Sequence, residues 1–490
     1  MTRKTTALPL PPALGAAVAA ALIALAAPQP ASAAGAATAS IAPQSRVHTI
    51  ALSTGLVDGK MVFLGADGKP NPTLRGRVGD TIEITIASGE GAQHDIVFPE
   101  LNVASEKFDA STGAKKLRFK LTQAGRFAYI CSIAGHRQIG MEGVLEVTGG
   151  DGVVPVTTAA VKPVKAKVRA ADAALPASAK AVSVAMDPTA VPAPLARRAP
   201  QLVKYRIETV ELDGKLADGT TFTYWTFDRK VPGPMLRVRV GDTVELTLAN
   251  ARDSKMVHSI DLHAVTGPGG GADDLQVPPG QEKTVTFKAL NPGLYVYHCA
   301  TALVPEHISA GMYGLILVEP EGGLPKVDRE FYVMQGDIYT KGAHGAKGHQ
   351  PFSTDKLAAE QPDYYVFNGA VGALTKEHKL RAKVGETVRM YFGVGGPNKI
   401  SSFHVVGEIF DRVYNLAATN QPAHDVQTTL VAPGGAAIVE FKVDYPGHYM
   451  LVDHALSRVG KGLVGVLEVE GKADPSIYRK GSASEHSMHD

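Results

Sequence analysis

The sequence predicts an all-β chain of three β-sandwiches, and three observations carry that expectation. The first is an internal repeat: Leu74-Arg-Gly-Arg-Val-Gly-Asp80 recurs as Leu236-Arg-Val-Arg-Val-Gly-Asp242 and again as Leu380-Arg-Ala-Lys-Val-Gly-Glu386. The second is alternation. Each copy is followed by a segment in which apolar and polar residues take turns, at Thr81–Ile86, Thr243–Leu248 and Thr387–Phe392, the pattern of a half-buried strand. The third is punctuation, since 51 Gly and 32 Pro among 490 residues suit short, turn-bounded strands better than long helices.

Each copy of the unit reads the same way. Its first strand sets basic residues outward and apolar residues inward, turns at the Gly–acid pair and enters the next strand. A His follows the leading Leu by 20, 22 and 24 positions, at His94, His258 and His404. Gly125-Arg-Phe-Ala-Tyr-Ile-Cys131 then matches Gly293-Leu-Tyr-Val-Tyr-His-Cys299 and Gly447-His-Tyr-Met-Leu-Val-Asp453. An apolar strand closes each copy, at Gly143–Val147, Gly314–Val318 and Gly465–Val469. The expected architecture is antiparallel Greek-key sandwiches over residues 40–150, 187–320 and 321–475. Residues 151–186, rich in Ala, Val, Lys and Pro, read as an extended or disordered linker. Residues 476–490 read as a low-complexity tail whose His486 and His489 are solvated.

The N-terminus reads as an address. Basic residues at Arg3 and Lys4 precede an Ala/Leu run from Ala13 to Ala27, and Ala31-Ser-Ala33 supplies a small-residue cleavage pattern. Residues 1–33 are therefore expected to be a signal peptide that sends the chain to the periplasm. No twin Arg precedes the apolar run, which favours the general export route. The run is short for a membrane span, so none is expected after cleavage. A net charge of +2, with no basic run carrying interleaved aromatics, argues against a nucleic-acid partner.

Two strings carry the chemistry: Cys131-(x4)-His136-(x4)-Met141 and Cys299-(x7)-His307-(x4)-Met312. A thiolate, an imidazole and a thioether on one short loop, joined by a His from an earlier strand, form the ligand set of a type 1 (blue) copper site. Cys ends one strand, His sits on the loop and Met opens the next strand, so the donors converge. The expected sets are His94, Cys131, His136 and Met141, and His258, Cys299, His307 and Met312. Only 2 Cys are present; a disulfide could use both, but the metal strings account for them better. The third copy has Asp453 where the others have Cys and Leu463 where they have Met, so it cannot hold a blue copper and His404 is released from that duty.

A second kind of site is legible beside the middle set. In His258-Ser-Ile-Asp261-Leu-His263 the two His are an odd number of positions apart, which on a strand turns them to opposite faces. The same parity separates His298 from Cys299. His263 and His298 thus face outward together as half of an imidazole site, and His454, beside the lost Cys, is the remaining His in a matching setting. An all-imidazole site with an open position suits a copper that activates a small ligand. The His298–Cys299 peptide link would then be a short electron path between the two centres. His48, His344, His349, His378, His424 and His448 read as ordinary surface residues.

Residues 187–475 closely resemble the copper-containing nitrite reductases, in the subgroup with the shorter Cys-x7-His loop. The matching segments are Tyr224-Trp-Thr-Phe227, His258–His263, Gly293–Pro320, Ser401–Asp411 and Leu451-Val-Asp-His454. The resemblance implies cupredoxin domains and a homotrimer. It places the type 1 ligands on His258, Cys299, His307 and Met312, and the type 2 ligands on His263 and His298 of one subunit and His454 of the next. The family's active-site acid and histidine fall on Asp261 and His404. Val406 departs from the Ile usual there, which implies a roomier ligand pocket. Residues 40–150 look like an additional N-terminal cupredoxin domain.

The resulting expectation is reduction of nitrite to nitric oxide in denitrification, with two type 1 and one type 2 copper per chain. The electron donor would be a cytochrome c or a small blue-copper protein. A laccase-like multicopper oxidase would need paired His-x-His motifs, and the sequence has none. A pure electron shuttle would leave Asp261, His263, His298, His404 and His454 idle.

Overall fold

The computed structural model describes residues 45–479 and 481, apart from 58–59, 110–111, 134–135, 138–139 and 150–174. The signal-peptide segment, most of the linker, and His486 and His489 lie outside the described residues. The described chain is β-structure in six sheets of four to six strands. One connectivity occurs three times, as the repeat requires. The strand carrying the repeated Leu lies parallel to the closing strand, Leu74–Arg77 beside Glu142–Thr148, Leu236–Arg239 beside Tyr313–Glu319, and Leu380–Lys383 beside Gly465–Glu470.

The sheets are mixed, which corrects the expectation of antiparallel sandwiches. Val47–Val57 runs parallel to Thr81–Ala87, Leu202–Ala217 to Thr243–Asn250, and Arg329–Ile338 to Thr387–Val394. The reason is topological. The strand with the repeated Leu belongs to the opposite sheet, so the strands on either side of it meet in the same direction.

Apolar residues alternate inward to fill each sandwich. Ile82, Ile84 and Ile86 sit in the first core, Val244, Leu246 and Leu248 in the second, and Val388, Met390 and Phe392 in the third. A further apolar cluster joins the second and third sandwiches through Tyr224, Tyr313, Leu315, Tyr332 and Tyr391. Beside it lies a network of buried ions. Arg237 pairs with Glu319 at 2.6 Å and with Glu330 at 2.8 Å, and Glu330 also takes Arg389 at 2.8 Å. Arg237 and Arg239 are thus buried rather than outward, because the third sandwich covers the face that the first leaves to solvent in Arg75 and Arg77.

The described part of the linker also departs from expectation. Residues 175–186 run extended but packed. Val182 N–H donates to the Asp213 carbonyl at 3.1 Å and Val231 N–H to that of Val184 at 2.8 Å, and Val184, Ala185 and Met186 are buried. Three apolar side chains in a row supply the surface that holds this stretch on the core. At the other end, Tyr478 of the expected tail rests edge-on against Tyr445 with ring centroids 5.5 Å apart. Among the described residues, no helix is long and apolar enough to cross a membrane.

Candidate metal centres

The N-terminal set forms where strand Gly125–Ile130 ends. Cys131 N–H donates to the Met141 carbonyl at 3.2 Å and Met141 N–H to the His136 carbonyl at 2.9 Å, which closes the loop on itself. His94 is fixed by a reciprocal pair of backbone bonds with Phe108 of 2.7 and 2.8 Å. Cys131 Sγ then lies 3.4 Å from His136 Nδ1 and 3.9 Å from His94 Nδ1, with the two nitrogens 3.2 Å apart. Met141 is fully buried in the same cluster.

The middle set repeats this arrangement, with one change. Cys299 N–H donates to Met312 O at 3.1 Å and Met312 N–H to His307 O at 3.2 Å, but the longer loop folds into a short helix, Val304–Ser309, that carries His307. Cys299 Sγ is 3.3 Å from His307 Nδ1, and the Nδ1 atoms of His307 and His258 are 3.3 Å apart. Nitrogen and sulfur donors at about 2.0–2.3 Å from one metal in a trigonal plane are about 3.5–4 Å from each other. Both triangles approach that size, and the thiolate–imidazole chemistry fits copper.

Electrostatics differ between the two sets. Burial pushes the Cys131 thiol up to about 12 and the His136 imidazole down to about 3, the nearby His94 and His307 adding to the latter. Burial would also raise Cys299, but the charge of His307 and hydrogen bonds with His258 and His307 outweigh it and hold the thiol well below its usual range. Burial alone would lower His258, yet its bonds to Cys299 and Glu211 lift it to about 9. A metal entering either set must displace the protons held there.

The outward pair lies directly behind the middle set. Asp261–His263 and His298 meet because Asp261 pairs with His298 in the sheet register. His263 Nε2 and His298 Nε2 are 3.1 Å apart, and Asp261 Oδ2 is 3.9 Å from His298 Nε2. His298 Nδ1–H donates to the Cys299 carbonyl at 3.0 Å, since a carbonyl can only accept, and this turns Nε2 to the cluster. The segment His258–His263 is not one continuous strand as the parity argument assumed. Only Asp261–Leu262 is strand, yet His258 is buried and His263 exposed.

His404 and His454 do not belong to that cluster within one chain, among the described residues. His404 lies in strand Ser401–Val405 of another sheet and His454 just past that sheet's strand Gly447–Asp453, with ring centroids 5.7 Å apart. His404 stands opposite Val452 on the outer face, and its Nδ1–H donates to the Gln427 carbonyl at 2.6 Å. Val406, Leu430 and Met450 are exposed beside them. Asp453 fills the third copy's Cys position fully bonded, accepting from Ser402 N–H at 3.1 Å, from Ala455 N–H at 3.0 Å and from Arg458. Leu463, at the Met position, is buried in the core.

Three groups escaped the sequence reading. Glu211 Oε1 accepts from Lys255 N–H at 2.8 Å, from Met256 N–H at 2.9 Å and lies 3.2 Å from His258 Nε2. Glu90 holds His94 Nε2 in the same way and itself accepts from the Thr54 hydroxyl at 2.7 Å. Trp225 packs on both middle imidazoles, 4.6 Å from His307 and 5.7 Å from His258 by ring centroids. Glu90 stands four positions before its His, a readable spacing; Glu211 lies 47 positions away on another strand and leaves no local trace.

Comparison with known proteins agrees with this geometry. Two family models described as multicopper oxidase match residues 209–323 and 348–473. A copper-containing nitrite reductase of Neisseria meningitidis is 57% identical over 288 residues, 59% of this chain and 74% of that protein. The chain belongs to the copper-containing nitrite reductases. One from Alcaligenes xylosoxydans xylosoxydans is 36% identical, the match covering 59% of this chain and 93% of that protein. The copper nitrite reductase of Nitrosomonas europaea, solved at pH 8.5, aligns with a TM-score of 0.50 at 35% identity, covering 56% of this chain and 96% of that one. As a family member the chain is an enzyme that acts on nitrite with copper, and the donor sets above are compatible with that metal.

Proposed function

We propose that this chain reduces nitrite to nitric oxide and water, taking one electron and two protons per turnover, as an exported homotrimer that serves denitrification in the periplasm. The observation that carries the reading is the adjacency of Cys299 and His298: one peptide unit joins a buried His/Cys/His/Met set to an outward imidazole pair, of which His263 is exposed and His298 half-buried. Two type 1 sets (His94, Cys131, His136, Met141 and His258, Cys299, His307, Met312) and one type 2 set would hold three coppers per chain. Copper would supply one-electron transfer at the buried sets and Lewis acidity at the exposed one.

The third imidazole of the exposed set is His454 of a second copy. The sheet face that presents it is unusual for a solvated surface, since Val406, Leu430 and Met450 are exposed around His404 and His454. Covering that face with a neighbour would bury it, and a heterologous contact that closes as a ring of three makes equivalent sites.

The chain's own groups handle the protons. Asp261, on the same side as His263 and beside His298, is placed to hydrogen-bond the substrate and to hold one proton at Oδ2. His404, whose Nδ1–H is committed to Gln427, has Nε2 left to hold and pass the second. The N–O bond that breaks leaves its oxygen to the two protons as water. Electrons would come from a cytochrome c or a small blue-copper protein.

The test is product analysis. Copper-loaded protein with nitrite and an artificial reductant, without oxygen, should release one nitric oxide per nitrite consumed. Ammonia as the product, or oxygen consumption without nitrite loss in a parallel aerated assay, would overturn the reading.

A further inference from the structure

The N-terminal and middle metal sets face each other across the contact between their sandwiches. Gln93, next to His94, donates its backbone N–H to the Lys255 carbonyl at 2.9 Å, and Lys255 Nζ pairs with Asp109 Oδ2 at 3.2 Å. Val257, next to His258, is completely buried inside the apolar cluster of the N-terminal sandwich rather than that of its own. The chain therefore runs from one ligand to the other, His94 to Gln93, across a single hydrogen bond to Lys255, then through Met256 and Val257 to His258.

The loop imidazoles add a second observation. His136 and His307 are both fully buried, and in each the Nε2 atom lacks a hydrogen-bond partner among the described residues while Nδ1 faces the Cys. Buried polar atoms without partners destabilise a fold, so native folds keep few of them. Two such atoms, one on the loop ligand of each set, mark ligand edges closed off from water without hydrogen bonding. Electron passage needs close contact between ligand edges and no bond at all.

We propose that the N-terminal sandwich is a tethered electron donor docked on the blue-copper face of the middle sandwich, through Gln93–Lys255, Lys255–Asp109 and the Val257 socket. The proposal rests on the reading of both sets as type 1 sites. With copper bound, the N-terminal set would be oxidised and the middle set reduced by a single electron, with no bond or proton moved. A soluble one-electron donor protein reloads the N-terminal set. Because the docked sandwich covers the His258 loop, that donor does not reach the middle set directly. The tether also removes dependence on concentration, as a linked partner meets its site at an effective concentration on the order of millimolar.

Pulsed electron paramagnetic resonance on the full-length, fully oxidised protein tests this. Two type 1 signals with one defined dipolar splitting, unchanged on dilution, are expected. Lys255→Glu, which sets like charges against Asp109, should broaden or abolish the splitting, and the double variant Lys255→Glu/Asp109→Lys should restore it. Two type 1 signals with no splitting in the native chain, or a splitting that Lys255→Glu and Val257→Asp both leave unaltered, would overturn the docking. A single type 1 signal per chain would instead overturn the underlying reading of the N-terminal set.

Discussion

Removing the carboxylate of Glu211 should loosen the middle metal set without touching a ligand. One oxygen, Oε1, anchors the Lys255 and Met256 amides at 2.8 and 2.9 Å and lies 3.2 Å from His258 Nε2. In Glu211→Ala three donors lose that acceptor. Each hydrogen bond contributes about 1 kcal/mol net, and the edge of this segment can recruit water, so a loss of about 2–4 kcal/mol of local stability is expected. Groups that orient a ligand His typically change metal affinity about 10–100-fold. The assay is copper loss from the middle set under a chelator, followed by the blue absorbance against time. Glu211→Ala should lose that copper about 10–100-fold faster than the native chain. Glu211→Gln, which keeps a carbonyl acceptor in place, should fall between them. Native retention and an unshifted spectrum in Glu211→Ala would show that the covalent loop alone holds His258, and would refute the anchoring argument.

Three other outcomes are expected. Cys131→Ser should remove about half of the blue absorbance per chain and leave the exposed site's copper signal in place, because the two Cys head two separate donor sets; unchanged blue colour would remove the N-terminal assignment. Mixing inactive His298→Ala subunits with inactive His454→Ala subunits should restore part of the activity if the exposed site is shared between copies; verified mixed assemblies that stay inactive would place the whole site in one chain. Asp337→Asn should flatten the pH dependence of stability. Burial, only partly offset by a bond from Tyr339 and the charges of Lys399 and Arg458, pushes Asp337 up to about 6 from 3.8. The folded chain then keeps a proton that the unfolded chain releases, so stability falls as pH rises from about 3.8 to about 6 and is flat above, by about 3 kcal/mol in all. Chemical denaturation of native and variant chains across that range measures it, and a constant difference between them would refute the assignment.

The fold was legible where its signals are local. The Gly–acid turn, the period-two strands and the Cys-to-Met loops each fit within about fourteen residues, so they survive without knowledge of what packs on what. The parallel pairing of Val47–Val57 with Thr81–Ala87 is not local, because it depends on an intervening strand going to the other sheet. The burial of Arg237 and Arg239 was hidden for the same reason: their partners Glu319 and Glu330 lie about 80–90 positions on, and only the assembled pair of sandwiches removes them from water. Residues 175–186 have the composition of a linker, and their fate is set by the apolar surface they meet.

The metal chemistry follows from what flanks one strand end in each copy. The inward position holds Cys131, Cys299 and Asp453. In the middle copy the preceding residue is His298, which emerges on the far side as a donor one peptide away from the thiolate. In the third copy the following residue is His454. Its backbone N–H donates to Ser402 O at 2.8 Å, while Asp453 accepts from Ser402 N–H at 3.1 Å, so the residue that replaced the Cys holds the next imidazole in place. In the N-terminal copy the flanking residues are Ile130 and Ser132, and Ser132 is tied back to Asp95. Neither can ligate copper as an imidazole does. The N-terminal copy therefore has the donors of the buried set but not those of the exposed one, which supports the proposal that it moves electrons while the other two copies act on nitrite.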